Sequence, residues 1–373
     1  MKISDMLMDE ETLFREEGVF TPTYLPDQYN HRDSQLKSIT MALKPGLRGM
    51  NPLNTLIYGP PGTGKTTAVK YVFKELAEST TKLIPIYINC EDNNTPFGIF
   101  ARIHEAVYGF SPPDTGKPLE SVKESVFRKL AKDKKSVVIA LDEIDQLFVR
   151  KNVDKILIDL LKSHSTYGYD KIGVFGILID DRFMADLDIK ARSVFNPERI
   201  HFQPYSKEEI KEILSVRVKY GLYDGVLSSQ LLDLIVEKTF SQGDLRVGLD
   251  LIRRSAYLAE KEASRKIKKE HIEKAFGEMP KNINLKNTID SLDKQEKQLL
   301  CFIASTMETG SGRIFEKYSR QNDVGIKKYN EIIDKLEQYK IIDTQYKTGE
   351  RGRSRDILLR HDKEEIKKLV GDL

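Results

Sequence analysis

The octapeptide Gly59-Pro60-Pro61-Gly62-Thr63-Gly64-Lys65-Thr66 follows the apolar run "NTLIY" and precedes a helical pattern. It matches G-x-x-x-x-G-K-[ST], and a strand, a glycine-rich loop and a helix in that order leave few folds open. Glycines let the backbone curl until successive N–H groups converge on phosphate oxygens at a helix N-terminus. In that geometry Lys65 neutralises the β and γ phosphates and Thr66 ligates Mg²⁺, with Gly59, Pro60, Pro61, Gly62, Thr63, Gly64 and Thr67 completing the cradle. A glycine-rich turn that binds nothing is the plainer alternative, but such a match arises by chance in only about one chain of this length in a hundred.

From Leu53 to about Phe202 further apolar runs, "LIPIYIN", "SVVIALDEID" and "KIGVFGILID", alternate with longer helical patterns. With "NTLIYG" they predict four buried parallel strands covered by helices on both faces. The third run ends in Asp142 and Glu143. Asp142 can hold the Mg²⁺ shell and Glu143 can orient or deprotonate an attacking water, whereas adjacent carboxylates at a buried strand end are otherwise an awkward electrostatic choice. The loop and the carboxylates together predict ATP binding.

At 373 residues the chain has room for two or three domains. Residues 1 to about 30 read as an irregular arm interrupted by Pro22, Pro26 and Asn30, with a helix starting near His31 and Arg32. From Ser206 to about Gly277 amphipathic helical patterns replace the strands, and Ser206 with Glu209 forms a capping box at their start. A polar connector around Pro280 then leads to a last module that reads helix, helix, helix and β-hairpin, its turn set by Gly349 and Gly352. The expected units are 1–205, the nucleotide-binding core with its arm; 206–280, a small helical domain; and 286–373, the module of helices and hairpin.

Lys and Arg number 60 against 57 Asp and Glu, so any surface for nucleic acid must be local. One such place is the hairpin, where Lys347, Arg351, Arg353, Arg355 and Arg360 face only Glu350 and Asp356. Three arginines at alternate positions can straddle phosphates across a minor groove, or simply keep a strand edge charged against unwanted pairing. Just before them Lys327, Lys328 and Tyr329 open an amphipathic helix, giving the order of recognition helix and wing. Cys90 and Cys301 form no Cys-x-x-Cys pair, and neither a signal peptide nor a membrane-spanning run is found, which fits a reducing cytoplasm.

On "YLPDQYNHRDSQL", "GPPGTGKTT", "LDEID", "FQPYSKEEI", "GDLRVGLDLIRRSAYLAE" and the C-terminal segment, the chain resembles the AAA+ superfamily. Within it the chain is similar to the archaeal initiators related to the origin recognition complex and cell division cycle initiators of eukaryotes. The resemblance implies an α/β fold, an AAA+ P-loop parallel sheet with a helical lid, followed by an α+β winged-helix domain. It places Arg32 near the base, Tyr205 and Arg217 along the nucleotide, and Arg246 as the sensor-2 arginine at the γ phosphate. It implies an ATP-switched initiator, associated with the nucleoid, whose partners are origin duplex DNA, a paralogous initiator and a replicative helicase. A motor of clamp-loader, helicase-loader or remodelling type is the alternative, and a plasmid- or transposon-type DNA-binding ATPase is a third.

Two departures bear on that choice. Where the family usually has a polar sensor-1 residue this chain has Ile179, followed by Asp180, and an aliphatic group cannot position the lytic water. In the finger region it has Asp188-Ile189-Lys190-Ala191 with Arg192 close by, and Lys190 lacks the guanidinium fork. Slow hydrolysis is therefore expected, which favours the initiator. The family's further insertion helix is expected within "VDKILIDLLKSHSTYGYD", with Lys162, Ser163 and Tyr167 either facing DNA or belonging to an ordinary sheet-covering helix.

Overall fold

The computed structural model describes residues 12–27, 29–113, 118–149, 152–179, 181, 183–279, 289, 292–306, 308–322, 324–339, 341–349, 352–359 and 363–371. The chain divides into two compact units, Thr23–Tyr205 and Met1–Pro22 with Ser206–Leu373.

The first unit is built on a five-stranded parallel sheet of β1 (Thr55–Tyr58), β2 (Leu83–Asn89), β3 (Ser136–Asp142), β4 (Ile172–Leu178) and β5 (Glu198–His201), in the order β2-β3-β4-β1-β5. The four expected strands are present. The fifth was missed because only Ile200 of "ERIH" is buried, so the segment lacks the apolar run that marks a central strand. Every residue of β3 and β4 is buried, as a sheet covered on both faces requires. Alternation sorts their side chains: Val137, Ile139 and Leu141 enter one core, and Val138 and Ala140 enter the other.

Helices α1 (Asp33–Leu47) and α2 (Lys65–Ser79) cover the face that carries Val138 and Ala140. The opposite face receives α3 (Pro96–Tyr108), α4 (Leu119–Asp133), α5 (Gln146–Val149), α6 (Val153–Leu161), α7 (Ser163–Tyr167), α8 (Phe183–Asp186) and α9 (Ile189–Phe195). Helix α3 opens on a Thr95 cap with Pro96 in its first turn, and closes where Gly109 turns left-handed at φ 83°. Buried Lys123 on α4 ion-pairs with Asp159 of α6 at 2.6 Å and Glu120 at 2.8 Å, which ties the two helices.

The segment 153–170 takes the plainer of its two readings. Ile156, Leu157 and Leu160 enter the core, Ser163 is buried with its hydroxyl on Tyr169 O at 2.6 Å, and Tyr167 stacks on Phe127 while donating to Glu120. Only Lys162 of the three residues expected toward DNA is exposed. The crossover that carries an additional long helix is instead the one between β2 and β3, which holds both α3 and α4.

In the second unit α10 (Lys207–Gly221), α11 (Ser229–Gln242), α12 (Leu245–Lys261) and α13 (Lys269–Glu278) form the helical region. The Ser206–Glu209 capping box is formed in both directions. Residues 12–22 pack on these helices: Arg15 and Glu16 donate their N–H groups to Gly221 O, Phe14 bridges to Leu222, and Leu13 N reaches Glu260 at 2.7 Å. The arm expected as an appendage of the core thus joins the helical unit. Its apolar residues Phe14, Val19 and Phe20 need a partner surface, and Phe14 finds the Tyr257 ring at 5.2 Å.

The C-terminal module contains α14 (Lys294–Ser305), α15 (Ser311–Ser319), α16 (Ile326–Gln338), β6 (Ile342–Gly349), β7 (Gly352–Leu359) and α17 (Lys363–Val370). Strands β6 and β7 pair antiparallel from Ile342↔Leu359 to Gly349↔Gly352, so the hairpin and its glycines lie where the sequence puts them. One core gathers Leu299, Leu300, Ile314, Tyr318, Tyr329, Ile332, Ile333, Leu336 and Ile357. The buried carboxylate of Glu296 on α14 is neutralised by Lys335 of α16 at 2.7 Å. The expected connector around Pro280 lies outside the described residues.

Candidate nucleotide site and nucleic-acid surface

In parallel α/β sheets ligands bind beyond the carboxyl ends of the strands, where β1 here delivers the Gly59–Thr66 loop and β3 delivers Asp142. The chain leaves β1 under tight constraint. Gly59 has φ 148°, and a Cβ there would lie 2.1 Å from Phe202 O, so no other residue fits. Its N–H donates to Ile179 O at 3.1 Å. Gly64 (φ 91°) caps α2, and a Cβ on it would meet the hydroxyls of Tyr29 and Tyr205 at 2.0 and 2.7 Å. Thr63 Oγ1 donates to Pro60 O, and Lys65 Nζ donates to Gly59 O at 2.7 Å and Pro60 O at 2.9 Å. The cation is therefore held over the loop's own carbonyls, while Thr66 and Thr67 lie in the first helical turn, whose N–H groups lack intrahelical acceptors.

Asp142 is buried, and both of its carboxylate oxygens accept hydrogen bonds. Oδ2 accepts from Thr66 Oγ1 and from the Tyr87 hydroxyl, both at 2.7 Å, and Oδ1 accepts from the Glu143 N–H at 3.1 Å. Glu143 turns left-handed at φ 54°, at a cost of about 1 kcal/mol, and its side chain is exposed. Partial desolvation where the side chain leaves the strand end, and then the neighbouring Asp142 carboxylate, push the Glu143 carboxyl above its ordinary value, which suits a base for water. Among the described residues no group of three His, Cys, Asp or Glu side chains is placed to hold a metal by itself. One hydroxyl and one carboxylate are the donor set that Mg²⁺ takes when phosphate oxygens and water complete its shell, so Thr66 and Asp142 fit the ion.

Arg32 is buried beside the loop, with Nε on Thr63 O, Nη1 on His31 O and Nη2 on Gln203 O. Its guanidinium stacks on Tyr205, which is itself buried. On the helical unit, Arg217 donates to Val19 O at 3.4 Å, and exposed Arg246 grips Asp244, the cap of α12, at 2.6 Å. Ile179, the residue expected at the sensor-1 position, is 39% exposed; Asp180 lies outside the described residues. In the finger region Lys190 is exposed, and Arg192 is folded back onto Ala185 O and Leu187 O.

Sequence reasoning missed Tyr29, whose hydroxyl holds Gly64 O at 2.7 Å, and Tyr87. Tyr87 offers only a weak signal, a hydroxyl inside the apolar run "LIPIYIN". Its meaning appears once β2 is known to pair with β3, with Asn89 opposite Asp142.

In the C-terminal module Lys327 and Lys328 are exposed in the first turn of α16. Two other expectations there are corrected. Tyr329 is fully buried, its ring 5.1 Å from Phe315 and its hydroxyl on Ser311 O at 3.0 Å, because it occupies the apolar stripe of α16 with Ile332 and Ile333. It packs the module rather than facing outward with the two lysines. Arg355 is 14% exposed and ion-pairs with Asp334 at 2.8 Å and Glu337 at 3.1 Å. The strand period puts it on the same face as buried Ile357, toward α16. Arg351 and Arg360, and the side chains of Lys347 and Arg353, lie outside the described residues.

Residues 30–152 match the family described as AAA ATPase domain, and residues 211–277 match the Cdc6 AAA+ ATPase-type lid domain. The chain is 38% identical to ORC1-type DNA replication protein 2 of Methanothermobacter thermautotrophicus, over 99% of this chain and 98% of that one. It is also 38% identical to the protein of that name from Methanosarcina acetivorans, over 97% of each. Among solved structures, the Aeropyrum pernix Orc1 protein in complex with DNA has a TM-score of 0.65 at 26% identity and 97% coverage of each chain. The Aeropyrum pernix ORC2 protein, in ADPNP–ADP complexes, has a TM-score of 0.74 at 21% identity, a likeness of fold.

Proposed function

The chain belongs to the family of ORC1-type DNA replication proteins, and from that premise we propose that it is an ATP-binding initiator that recognises duplex DNA at a replication origin. The observation that supports this reading most is that the likeness runs through sheet, helical unit and C-terminal module in one order, over 99% of the chain. Adenine nucleotide with Mg²⁺ occupies the Gly59–Thr66 loop in this proposal, with Lys65 on the phosphates and Thr66 and Asp142 in the metal shell. Bound magnesium supplies charge neutralisation between the phosphates. Arg32 and Tyr205 sit beside the loop, and Arg217 and Arg246 are proposed as further nucleotide ligands. For Arg246 this requires exchanging the Asp244 carboxylate for a phosphate.

Glu143 orients water, but Ile179 offers it no hydrogen bond, so turnover is slow and the bound nucleotide acts as a state marker. DNA is held through Lys327 and Lys328, with the wing residues Lys347, Arg351 and Arg353 as phosphate contacts. A paralogous initiator and a replicative helicase are the proposed protein partners. Among the described residues no helix is long and apolar enough to cross a membrane; the proposed place of work is the cytoplasm, on the nucleoid. Footprinting on genomic fragments of the host, with ATP, ADP or no nucleotide, tests the reading. Protection confined to a few sites and altered by nucleotide is expected; uniform weak protection with fast ATP turnover would favour a motor.

A further inference from the structure

The carboxylate of Asp142 is held from two sides by hydroxyl donors from different elements. Thr66, in the first turn of α2, and Tyr87, on β2, both donate to Oδ2 at 2.7 Å, while Oδ1 is taken by the Glu143 N–H. The Tyr87 ring is fixed in turn by Lys70, one turn beyond Thr66 on α2, whose Nζ lies 4.2 Å from the ring centroid. Short O–H···O⁻ contacts are the stronger class of hydrogen bond, and two on one oxygen remove the carboxylate's freedom to rotate. Thr66 holds Oδ2 from the α2 side and Tyr87 from the β2 side, so the two donors together fix an orientation that one alone would leave free to swing.

We infer that Tyr87 is a positioning residue for magnesium: its hydroxyl presets the Asp142 carboxylate toward Thr66, so that the two groups meet the ion as one ready-made pair. The inference rests on the nucleotide-binding reading above. Partners of metal-ligating carboxylates typically contribute tenfold or more to metal affinity without touching the ion. The competing explanation is that Asp142 merely satisfies a half-buried tyrosine hydroxyl. In that case removal of the hydroxyl leaves the carboxylate with Thr66 and the Glu143 N–H, and magnesium binding is unchanged.

The two are separated by measuring, on the full chain, fluorescent ADP binding in EDTA and the Mg²⁺ concentration that gives half of the magnesium-dependent gain. For Tyr87→Phe, which keeps the ring over Lys70, affinity in EDTA is expected within about twofold of wild type while the half-saturating Mg²⁺ rises about tenfold. The Mn²⁺ spectrum of the Mn-ADP complex is expected to broaden as the carboxylate loses its fixed orientation. An unchanged Mg²⁺ requirement, or an equal loss with and without metal, would overturn the inference. A wild-type chain that bound no nucleotide would overturn the underlying reading as well, a distinct result. Should Tyr87→Phe fail to fold, Lys70→Met frees the ring without touching hydroxyl or carboxylate. It is expected to raise the Mg²⁺ requirement about threefold, the size of one exposed cation–π contact, and no rise would count equally against Tyr87.

Discussion

The guanidinium of Arg32 lies 3.8 Å from the centroid of the Tyr205 ring, and its nitrogens reach the carbonyls of Thr63 and Gln203 on either side. One buried side chain thereby joins the phosphate loop, the start of α1 and the segment after β5. A lysine has neither the fork for two carbonyls nor the flat face for the ring. Arg32→Lys is expected to lower stability by about 2 kcal/mol, seen as a drop of roughly 4–8 °C in the unfolding of the nucleotide-binding unit. Nucleotide affinity should fall with it, since Thr63 O loses its anchor. An unchanged melting temperature would contradict this account of the residue.

Lys65 spends its ammonium on Gly59 O and Pro60 O, both within the loop. The group is thus already aimed over the loop, at no cost in ordering when phosphates arrive. Lys65→Ala should lower adenine nucleotide affinity by well over tenfold, about 1.4 kcal/mol or more, with little change in stability. Calorimetric titration of both proteins checks it, and equal affinities would remove the phosphate role.

Hydrolysis should be far slower than the roughly 1–1000 per second of dedicated enzymes. The backbone at Ile179 is held by the Gly59 N–H, while its side chain is partly in solvent. An Asn there can offer a carboxamide without repacking a core, so Ile179→Asn is expected to shift stability by no more than about 0.5 kcal/mol. It should raise single-turnover hydrolysis tenfold or more, as expected for a water-orienting hydrogen bond. Rapid turnover by the wild type would sink the proposal.

What could be read from the sequence was whatever a short run of residues determines alone. The P-loop, the Asp142–Glu143 strand end, the Ser206 cap and the Gly349–Gly352 hairpin each depend on neighbours in the chain, and all are present. Features that depend on the partner across an element were not legible. Tyr87 becomes a hydrogen-bond donor to Asp142 only through the β2–β3 register, and Tyr29 reaches Gly64 O only when the segment before α1 folds against the phosphate loop. The same limit explains the C-terminal errors. Helical spacing puts Tyr329 beside two lysines in sequence, but the stripe it shares with Ile332 and Ile333 turns it inward. Arg355 belongs to an alternating run of basic residues, yet the face it takes is settled by buried Ile357 two positions on.

That face determines what mutations in the C-terminal module should do to DNA binding. Lys327 and Lys328 are exposed at the start of α16, and if each neutralises one phosphate, changing both to Ala should flatten the plot of log affinity against log salt by about 1.8 units. Arg355 should behave otherwise. Its guanidinium is engaged by Asp334 and Glu337, so Arg355→Ala is expected to cost about 1–2 kcal/mol of stability and leave the slope intact. Tyr329→Phe should likewise lose about 1 kcal/mol with unchanged preference between origin and unrelated DNA. Salt titrations beside denaturant melts on the same proteins distinguish the two behaviours, because a phosphate contact moves the slope and a packing contact moves the melt. A slope reduced by about one unit in Arg355→Ala, with stability unchanged, would mean that Arg355 leaves its carboxylates for DNA.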